Sequence, residues 1–508
     1  MKTSKNFARL AVTAGLTAAM ALGNVVAPAA MVLAADAGST VTFSDADYAT
    51  STTYKGIQIF KATVTKTAAG TTVSNIEWAS DAVKAAVVAA IQAKDASYTS
   101  ENAQDAADWL SANAGVTGTV SMVASDNVLS AIAANLDDQG GWVTSSNASL
   151  SGLEAGYWLF LTAAAGTPDG KSTDAFTSPV YAVIDGVNAT TVTPKKDVPT
   201  VKKKILDDAD AAGVADIKGS KNWKDVADSQ IGQEVNYRLT GTIASNYATF
   251  STYAYKFTDV LSGGLDYVGG SVEVYALKDG AYTTIDASKY DATWANNTLT
   301  VEFKVGDGKK GLKDVEGVDA NTQIVVFYKA KLNGNAVIGN AVDGNVGGNP
   351  NTVALTYSNN PYAEDTGETI EDTVADFAFK LNLNKVDQGT EKGLAGAVFT
   401  IQSADANTEG QYVASKADDA AGVVAGQLVT VADAKNLPEY VKFTSNNAEG
   451  KIAVSGLDAG SYKVTEVQTP DDTKYTKANP FTFTITPTYD ETAMKMTGLT
   501  AAVSDADE

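Results

Sequence analysis

Hydrophobic and polar residues alternate with a period of two along most of the chain, which is the pattern of strands with one buried face. In residues 196–375 the alternation comes with many Thr, Val and Tyr residues and with turn signals such as "SGG", "VGG" and "DG". Residues 376–508 repeat the pattern, most clearly in "GLAGAVFTIQ", "KIAVSGLDAGSYKVTEV" and "PFTFTITPT". The sequence therefore predicts two β-sandwiches in series, with no helix in the first of them.

Residues 36–194 combine strand patterns with an alanine-rich block. The strand patterns are "TYKGIQIFKATV", "GYWLFLTAA" and "SPVYAVID". Within the block, Ser80, Ser100 and Ser125 each precede a run with helical spacing of its apolar residues, and serine is a favoured N-cap residue. We therefore expect a β-domain that carries three short helices.

Changes in composition divide the chain into segments. Residues 1–35 combine a basic start with the apolar run "LAVTAGLTAAMAL" and predict a secretory signal peptide that is cleaved after Ala34 or Ala35. The stretch "VTPKKDVPTV" has two prolines and polar neighbours, which is typical of a linker. We predict an N-terminal domain at 36–194, a middle β-sandwich at 195–375 and a C-terminal β-sandwich at 376–508.

The composition excludes several classes of function. The 508-residue chain has no cysteine and no histidine, and its formal net charge is −22. Nucleophiles of the Ser-His-Asp and Cys-His types are therefore excluded, and an exported chain without cysteine cannot be reinforced by disulfides. The acidic balance argues against nucleic-acid binding, and we predict no metal and no cofactor.

The stretch "VKKKI" places three lysines on one predicted strand. Because side chains on a strand alternate between two faces, Lys203 shares the apolar face of Val201 and Ile205 and is predicted to be buried. In "FAFKLNLNKVD", Lys385 likewise ends an apolar stripe that begins at Phe377. A buried lysine becomes neutral or extends to water, and a neutral amine is a nucleophile.

Both regions also offer a carboxylate on an apolar strand face. In "YAYKFTDVL", Asp259 shares a face with Tyr255 and Phe257, and in "YKVTEV", Glu466 shares a face with Val464. The alternative to chemistry at these positions is a buried salt bridge, or a lysine at a strand end whose ammonium reaches water.

The combined pattern resembles the backbone pilins of Gram-positive bacteria, which are the sortase-assembled shaft subunits of fimbriae. The motifs that carry the resemblance are "TPKKDVPTVKKKI", "FTDVLSGGLDYV", "GNPNTVALTYSNNP", "FAFKLNLNKVDQGTEKGLAGAVFTI" and "GLDAGSYKVTEVQTP". The last two look like the opening and the Glu-bearing strand of a Cna-B-type domain. The resemblance implies a mainly β fold of tandem Ig-like domains of the Cna-A and Cna-B types, the first with a helical insert.

The resemblance also implies an intramolecular isopeptide bond, in which a buried lysine attacks an asparagine carboxamide and ammonia leaves. A neighbouring carboxylic acid shuttles protons and polarises the carbonyl. In the middle domain the amine is then Lys203 and the acid is Asp259. The acceptor is Asn351, with Asn359 as the alternative, because both asparagines have the same strand parity.

In the C-terminal domain the resemblance assigns Lys385 as the amine and Glu466 as the acid. The family's asparagine lies on a final strand before a sorting signal of the LPxTG type, and the sequence ends at "VSDADE" with neither. We therefore leave the acceptor unassigned and expect this domain to lack its final strand and sorting signal. The opening strand "STVTFSD" of the N-terminal domain has no lysine, so no such bond is expected there.

Members of the family polymerise through an exposed lysine in a "YPK" motif. A class C sortase joins that lysine to the C-terminal threonine of the next subunit. The nearest match is "VTPKK", which makes Lys195 the candidate acceptor lysine and Lys196 the alternative. Thr193 stands in place of the motif's tyrosine, and the competing interpretation is a charged linker.

We therefore predict a structural shaft subunit of a secreted, wall-linked pilus that supports adhesion and is not an enzyme. Its partners would be other copies of itself, class C sortase, minor pilins and a host-surface ligand. The alternative is a wall-anchored or tip adhesin for a host protein or glycan, with Trp109, Trp142 and Trp158 as candidate sugar-site residues. A glycoside hydrolase with paired carboxylates is a third class, but no catalytic motif selects a pair.

Overall fold

A computed structural model describes residues 38–44, 51–67, 70–114, 122–145, 148–167, 170–340, 347–446 and 449–504. The predicted signal peptide at 1–35 lies outside the described residues. The sheets group the described residues into an N-terminal, a middle and a C-terminal part. No helix in the described ranges is long and apolar enough to cross a membrane.

The N-terminal part contains two sheets and a group of helices. Its elements are β1 Ser39–Phe43, β2 Thr53–Thr67, β3 Gly70–Trp78, α1 Asp81–Lys94, α2 Ala103–Asn113, α3 Val128–Asp137, β4 Val143–Thr144, β5 Ser149–Leu153, β6 Gly156–Ala164, β7 Val180–Ile184 and β8 Thr190–Val192. The strand orders are β5-β1-β8 and β3-β2-β6-β7, with β4 paired to β2. One core lies between the sheets, and a second lies between the larger sheet and the helices. The predicted β-domain with three helices is confirmed.

Two of the predicted helix caps are wrong by two residues. Ser80 caps α1 as predicted, and its side chain accepts a hydrogen bond from the Val83 N–H. The caps of α2 and α3 are Asn102 and Asn127, whose side chains accept from N–H groups of the first turn. Ser100 and Ser125 lie outside these helices because each is followed by an asparagine that is closer to the apolar run and caps equally well.

The middle part is a sandwich of two sheets. Its elements are β9 Val201–Leu206, α4 Asp208–Ala211, β10 Val226–Asp228, β11 Glu234–Thr242, β12 Tyr255–Leu261, β13 Leu265–Tyr267, β14 Glu273–Lys278, β15 Ala281–Thr284, β16 Asp291–Ala295, β17 Thr298–Phe303, β18 Val305–Gly306, β19 Lys309–Lys310, β20 Gln323–Leu332, β21 Asn349–Ser358, β22 Thr366–Glu368 and β23 Asp372–Phe377. One sheet has the order β15-β14-β20-β11-β9, with β13 on β20, and the facing sheet has the order β10-β23-β21-β12-β17-β16, with β22 on β21. The expectation of no helix is wrong at α4, a single turn that the Asp207 side chain caps.

The C-terminal part is also built of strands. They are β24 Phe379–Asn384, β25 Val398–Ser403, β26 Tyr412–Val413, β27 Leu428–Val429, β28 Phe443–Thr444, β29 Lys451–Leu457, β30 Gly460–Gln468, β31 Phe481–Asp490 and β32 Lys495–Ser504. The sheets have the orders β24-β29 and β27-β26-β25-β30-β31-β32, with β28 on β25, and one core lies between them. The mainly β fold class predicted from the sequence is confirmed.

The predicted domain boundaries stay predictions. Residues 193–200 connect β8 to β9, around the boundary predicted at 195. Strand β23 crosses the boundary predicted at 375, since it continues to Phe377 while paired with β21 of the middle part. Ala375 and Phe377 already belong to the C-terminal core, which continues at Phe379.

Candidate functional site

Lys203 lies inside the core of the middle part. Burial alternates along β9, so that Lys203 is fully buried while Lys202 is exposed. Lys204 lies on the other face, where its ammonium pairs with the Asp225 carboxylate. The burial of Lys203 predicted from strand alternation is therefore confirmed.

The Lys203 amine has two polar neighbours. Its Nζ donates a hydrogen bond to the Asp259 carboxylate and another, of 2.9 Å, to the hydroxyl oxygen of Tyr328. Asp259 is fully buried on β12 of the facing sheet, whereas Tyr328 lies on β20 of the sheet that contains β9. This group of side chains therefore bridges the two layers of the sandwich.

Burial alters the protonation of this pair. Desolvation lowers the pKa of Lys203 to about 8, although the Asp259 carboxylate opposes the shift. Desolvation also raises the pKa of Asp259, against the opposing effect of the Lys203 ammonium. Both pKa shifts favour a neutral amine beside a neutral carboxylic acid. These are the forms required for nucleophilic attack and for polarising a carbonyl.

Asn351 reaches the same tyrosine from the facing sheet. It lies on β21 opposite Leu261 of β12, and it is fully buried. Its Nδ2 donates a 2.6 Å hydrogen bond to the Tyr328 hydroxyl oxygen. Its Oδ1 has no hydrogen-bond partner among the described residues. Lys203 and Asn351 are thus held around one phenol oxygen.

The alternative acceptor, Asn359, lies just beyond the opposite end of β21. Its Nδ2 donates a 3.1 Å hydrogen bond to the backbone carbonyl of Asp174, and its backbone carbonyl accepts from the Phe176 N–H. These partners belong to the N-terminal part. The structure therefore brings Asn351, and not Asn359, to the hydroxyl that contacts Lys203, while the acceptor role itself stays a prediction.

The lysine and the acid predicted for the C-terminal part also meet. The Lys385 Nζ lies 3.0 Å from Glu466 Oε2, and the exposed fractions of the two side chains are 14% and 0%. Glu466 Oε2 also accepts a hydrogen bond from the Ala478 N–H. Glu466 Oε1 has no partner among the described residues. The acceptor asparagine of this pair stays unassigned.

Known proteins share both the C-terminal domain type and the fold. Residues 379–499 match the family model of the SpaA prealbumin-like fold domain. The structure is similar to that of the T6 backbone pilin of serotype M6 Streptococcus pyogenes, which is described as a modular three-domain structure. The TM-score is 0.54 at 16% sequence identity, over 89% of this chain and 81% of that chain. The chain has the fold of a backbone pilin. This confirms the resemblance that the sequence motifs predicted.

Two further major pilins are similar over most of their length. SpaD from Corynebacterium diphtheriae is 16% identical over 87% of this chain and 90% of its own, with a TM-score of 0.42. BcpA from Bacillus cereus is 14% identical over 93% of this chain and 96% of its own, with a TM-score of 0.40. No curated protein sequence matches the chain.

The two candidate acceptor lysines of this pilin-like chain have different surroundings. The Lys196 ammonium pairs with the Asp174 carboxylate, and their side chains are only 7% and 1% exposed. Lys195 is half-buried, and its backbone N–H donates to the Thr177 hydroxyl at 2.8 Å. The Lys195 ammonium forms no ion pair or hydrogen bond with the described residues. An ammonium held in a buried pair is poorly available to another protein, so these surroundings favour Lys195 as the candidate.

The three tryptophans considered for a sugar site pack against cores instead. Trp158 is buried between the sheets of the N-terminal part, and Trp109 and Trp142 pack against the helical core. Each indole N–H donates to an oxygen of the chain itself. These contacts favour a packing role for all three residues.

Tyr328 is the residue of this site that sequence reasoning missed. It lies in "QIVVFYKAKL", where Ile324, Val326, Tyr328 and Ala330 share the buried face. Strand alternation could have placed it in the core. No local signal brings β20 close to β9, however, because β11 lies between them and the order of the strands is a property of the folded sheet.

Proposed function

We propose that this chain is a shaft subunit of a covalently polymerised surface pilus, and that a Lys203–Asn351 isopeptide bond stiffens its middle part. The observation that carries the proposal is the buried set of Lys203, Asp259 and Asn351, connected through the Tyr328 hydroxyl. The backbone-pilin fold supports the same function. Each internal bond forms once per chain and is not turned over, so the protein does not act as an enzyme.

The proposed reaction requires no external catalyst. The neutral Lys203 amine attacks Cγ of Asn351 while the Asp259 acid polarises the carbonyl, and ammonia leaves as the bond from Cγ to Nδ2 breaks. The fold holds the amine and the carboxamide around one hydroxyl, so their reaction is intramolecular. The resulting high effective concentration lowers the activation free energy of the reaction.

The position of the bond suits a subunit under tension. Strand β9 is an edge strand that pairs only with β11 in the strand order of its sheet, and it directly follows the segment that contains Lys195. A force applied at Lys195 would therefore reach β9 first. A bond from β9 to β21 in the facing sheet would carry this load after the backbone hydrogen bonds of β9 had yielded, and reducing conditions would not break it.

Polymerisation completes the proposed function. A class C sortase would join Lys195 of one chain to the sorting-signal threonine of another copy, outside the cell and at the wall. Lys385, with Glu466 as its acid, would form a second internal bond to an asparagine that is not yet assigned. Minor pilins and a host-surface ligand would then be contacted by the assembled fibre.

Intact-mass spectrometry of the chain expressed without residues 1–35 tests the middle bond. The wild type is expected to lose one ammonia when the middle bond forms. Lys203→Ala cannot form this bond, so it should keep that ammonia and lie correspondingly closer to its translated mass. Tandem mass spectrometry should then find residue 203 joined to residue 351 in the wild type. Asn359→Ala is the matched control and should keep the loss of ammonia, since Asn359 contacts Asp174 instead. A wild-type chain at its full translated mass would contradict the proposal.

Polymerisation by a class C sortase tests the assignment of Lys195. A sortase reaction with the chain fused at its C-terminus to an LPxTG-type sorting signal is expected to give oligomers that resist sodium dodecyl sulfate, and Lys195→Ala should abolish the ladder because the acceptor amine is gone. Lys202→Ala is the control, because Lys202 is exposed on β9 a few residues further along. If Lys195→Ala polymerises like the wild type, Lys195 is not the acceptor.

A further inference from the structure

The hydroxyl of Tyr328 lies between the two groups that are proposed to react. Its oxygen is 2.9 Å from the Lys203 Nζ and 2.6 Å from the Asn351 Nδ2. Tyr328 is 1% exposed, and its ring is stacked on the ring of Tyr237 with centroids 5.2 Å apart. A rigidly held phenol therefore contacts both the attacking and the leaving nitrogen.

The direction of the hydrogen bond from Asn351 is fixed by chemistry. An amide NH₂ group can only donate, so the phenol oxygen accepts from Asn351, and it also accepts from the Lys203 amine. Two accepted bonds use both lone pairs of the hydroxyl and leave its own proton free to be donated. The phenol can thus receive a proton from one neighbour and give its own proton to another.

The same contact orients the carboxamide. Because Asn351 is held through its nitrogen, its Oδ1 points away from the phenol and has no partner among the described residues. Asp259 Oδ2 is also buried without a partner in the described part of the chain, while Asp259 Oδ1 contacts the amine. Asp259 and Asn351 are diagonal neighbours on the same face of the β12–β21 pair, within reach of each other.

We propose that Tyr328 is a catalytic residue of the crosslinking reaction, which passes a proton from the Lys203 amine to the departing nitrogen of Asn351. This inference rests on the proposed function of the site. It divides the chemistry between two residues: the Asp259 acid serves the carbonyl oxygen, and the Tyr328 hydroxyl serves the two nitrogens.

The proposed steps balance without any further reactant. The lone pair of Lys203 Nζ forms a bond to Asn351 Cγ, and the carbonyl electron pair moves to Oδ1, where the Asp259 proton stabilises it. Nδ2 thereby becomes a basic amine. The Tyr328 oxygen takes one proton from Nζ and gives its own proton to Nδ2, so that the bond from Cγ to Nδ2 breaks and NH₃ leaves. The carbonyl then reforms, and Tyr328 and Asp259 end in their starting protonation states.

Tyr328→Phe tests the relay, with Tyr253→Phe as the matched control. Both changes remove one buried hydroxyl from the core of the middle part, but the Tyr253 hydroxyl makes no hydrogen bond to Lys203, Asp259 or Asn351. Full chains without residues 1–35 would be made by cell-free synthesis, and the loss of ammonia would be followed by intact mass at intervals. We expect Tyr328→Phe to crosslink about 100-fold more slowly and Tyr253→Phe to crosslink at the wild-type rate.

Two further measurements separate catalysis from packing. In a Lys203→Ala background, where this bond cannot form, the melting temperatures of the two tyrosine variants report only the structural cost of each change. A ring-fluorinated tyrosine at position 328 makes the phenol more acidic with little change in shape, and a proton relay then predicts an altered crosslinking rate.

The outcomes distinguish this inference from the function on which it rests. A wild-type rate in Tyr328→Phe, or a rate that does not respond to fluorination, overturns the relay while leaving the crosslink intact. A wild-type chain that never loses ammonia from the middle part overturns the proposed function itself.

Discussion

Asp259→Ala is expected to lower the melting temperature of the middle part by about 10 °C or more, because two stabilising effects are lost together. Without its acid, the Lys203–Asn351 bond should not form, and Lys203 is left as a buried amine without its charge partner. Removing one member of a buried pair costs about 3–5 kcal/mol of unfolding free energy. A covalent link between distant residues contributes about 2–5 kcal/mol in the comparable case of disulfides.

Lys203→Met separates these two effects. Methionine is apolar and fills a similar volume, so this variant loses the bond without leaving an unpaired ammonium in the core. Its melting temperature should therefore lie between those of the wild type and Asp259→Ala in scanning calorimetry. Lys204→Ala is the control on the same strand, because its pair with Asp225 is about one-third exposed and such pairs contribute about 0–1 kcal/mol.

The crosslink predicts agreement between two independent readouts. Every variant that melts early because the bond is missing should also keep the ammonia that crosslinking releases. Its intact mass should therefore exceed the mass calculated for its crosslinked form by one ammonia. An Asp259→Ala chain that loses ammonia and melts like the wild type would show that Asp259 is not needed for the bond.

Strand alternation predicted the burial of Lys203, Asp259 and Asn351 because it is a local property. Side chains two residues apart lie on the same face whatever the order of the strands in the sheet. The same argument could not separate Asn351 from Asn359, since both have the same parity and both are buried. The choice depends on which end of β21 meets β9 across the sandwich, which follows from the packing of the two sheets.

A group of acids at the junction of the middle and C-terminal parts had no sequence signal at all. Its members come from four separate segments, and they are Asp207, Asp208, Asp228, Asp376 and Asp458. They meet because β10 pairs in parallel with β23 and because the turn after β10 packs on the end of β29. Contacts that join such distant segments cannot be derived from local periodicity.

The stability of this junction is expected to fall as the pH rises from about 5 to about 8, because burial raises the pKa values of four of its carboxyl groups, at Asp207, Asp208, Asp376 and Asp458. Burial raises the pKa of Asp207 to about 7, and the neighbouring Asp228 adds to the shift. Burial also raises the pKa of Asp376 well above its usual range, although the Ser229 hydroxyl, which donates to it, opposes the rise. The same cause raises the pKa values of Asp208 and Asp458.

The direction in which stability changes with pH follows from proton binding. When the pKa of a carboxyl group is raised on folding, the folded chain binds more protons than the unfolded chain between the two pKa values, so stability decreases as pH rises through this window. The unfolded value is about 3.9 and the folded value of Asp207 is about 7. The stabilisation from Asp207 is therefore complete below about pH 4 and is lost by about pH 8.

The loss of stability should occur at the junction itself, because the acids hold the middle and C-terminal parts together. Asp228 accepts hydrogen bonds from the Ala459 N–H at 3.0 Å and from the Tyr489 hydroxyl at 2.7 Å, and both donors belong to the C-terminal part. Ionisation of several carboxyl groups around these contacts introduces repulsion between like charges in a poorly solvated place. Lys224, which interacts electrostatically with Asp207, already pairs with Asp210.

Asp376→Asn is expected to raise stability at pH 8 and to flatten its decline with pH, because burial raises the pKa of the Asp376 carboxyl well above its usual range. The amide keeps the shape of the acid and can still accept from Ser229, but it cannot ionise. Melting temperatures measured from pH 5 to pH 8 provide the test. Asp471→Asn is the matched control, because hydrogen bonds lower the pKa of this exposed carboxyl to about 2, outside the window. If Asp376→Asn keeps the wild-type slope, the Asp376 carboxyl is already ionised in the folded chain, and the joint between the two parts does not depend on its protonation.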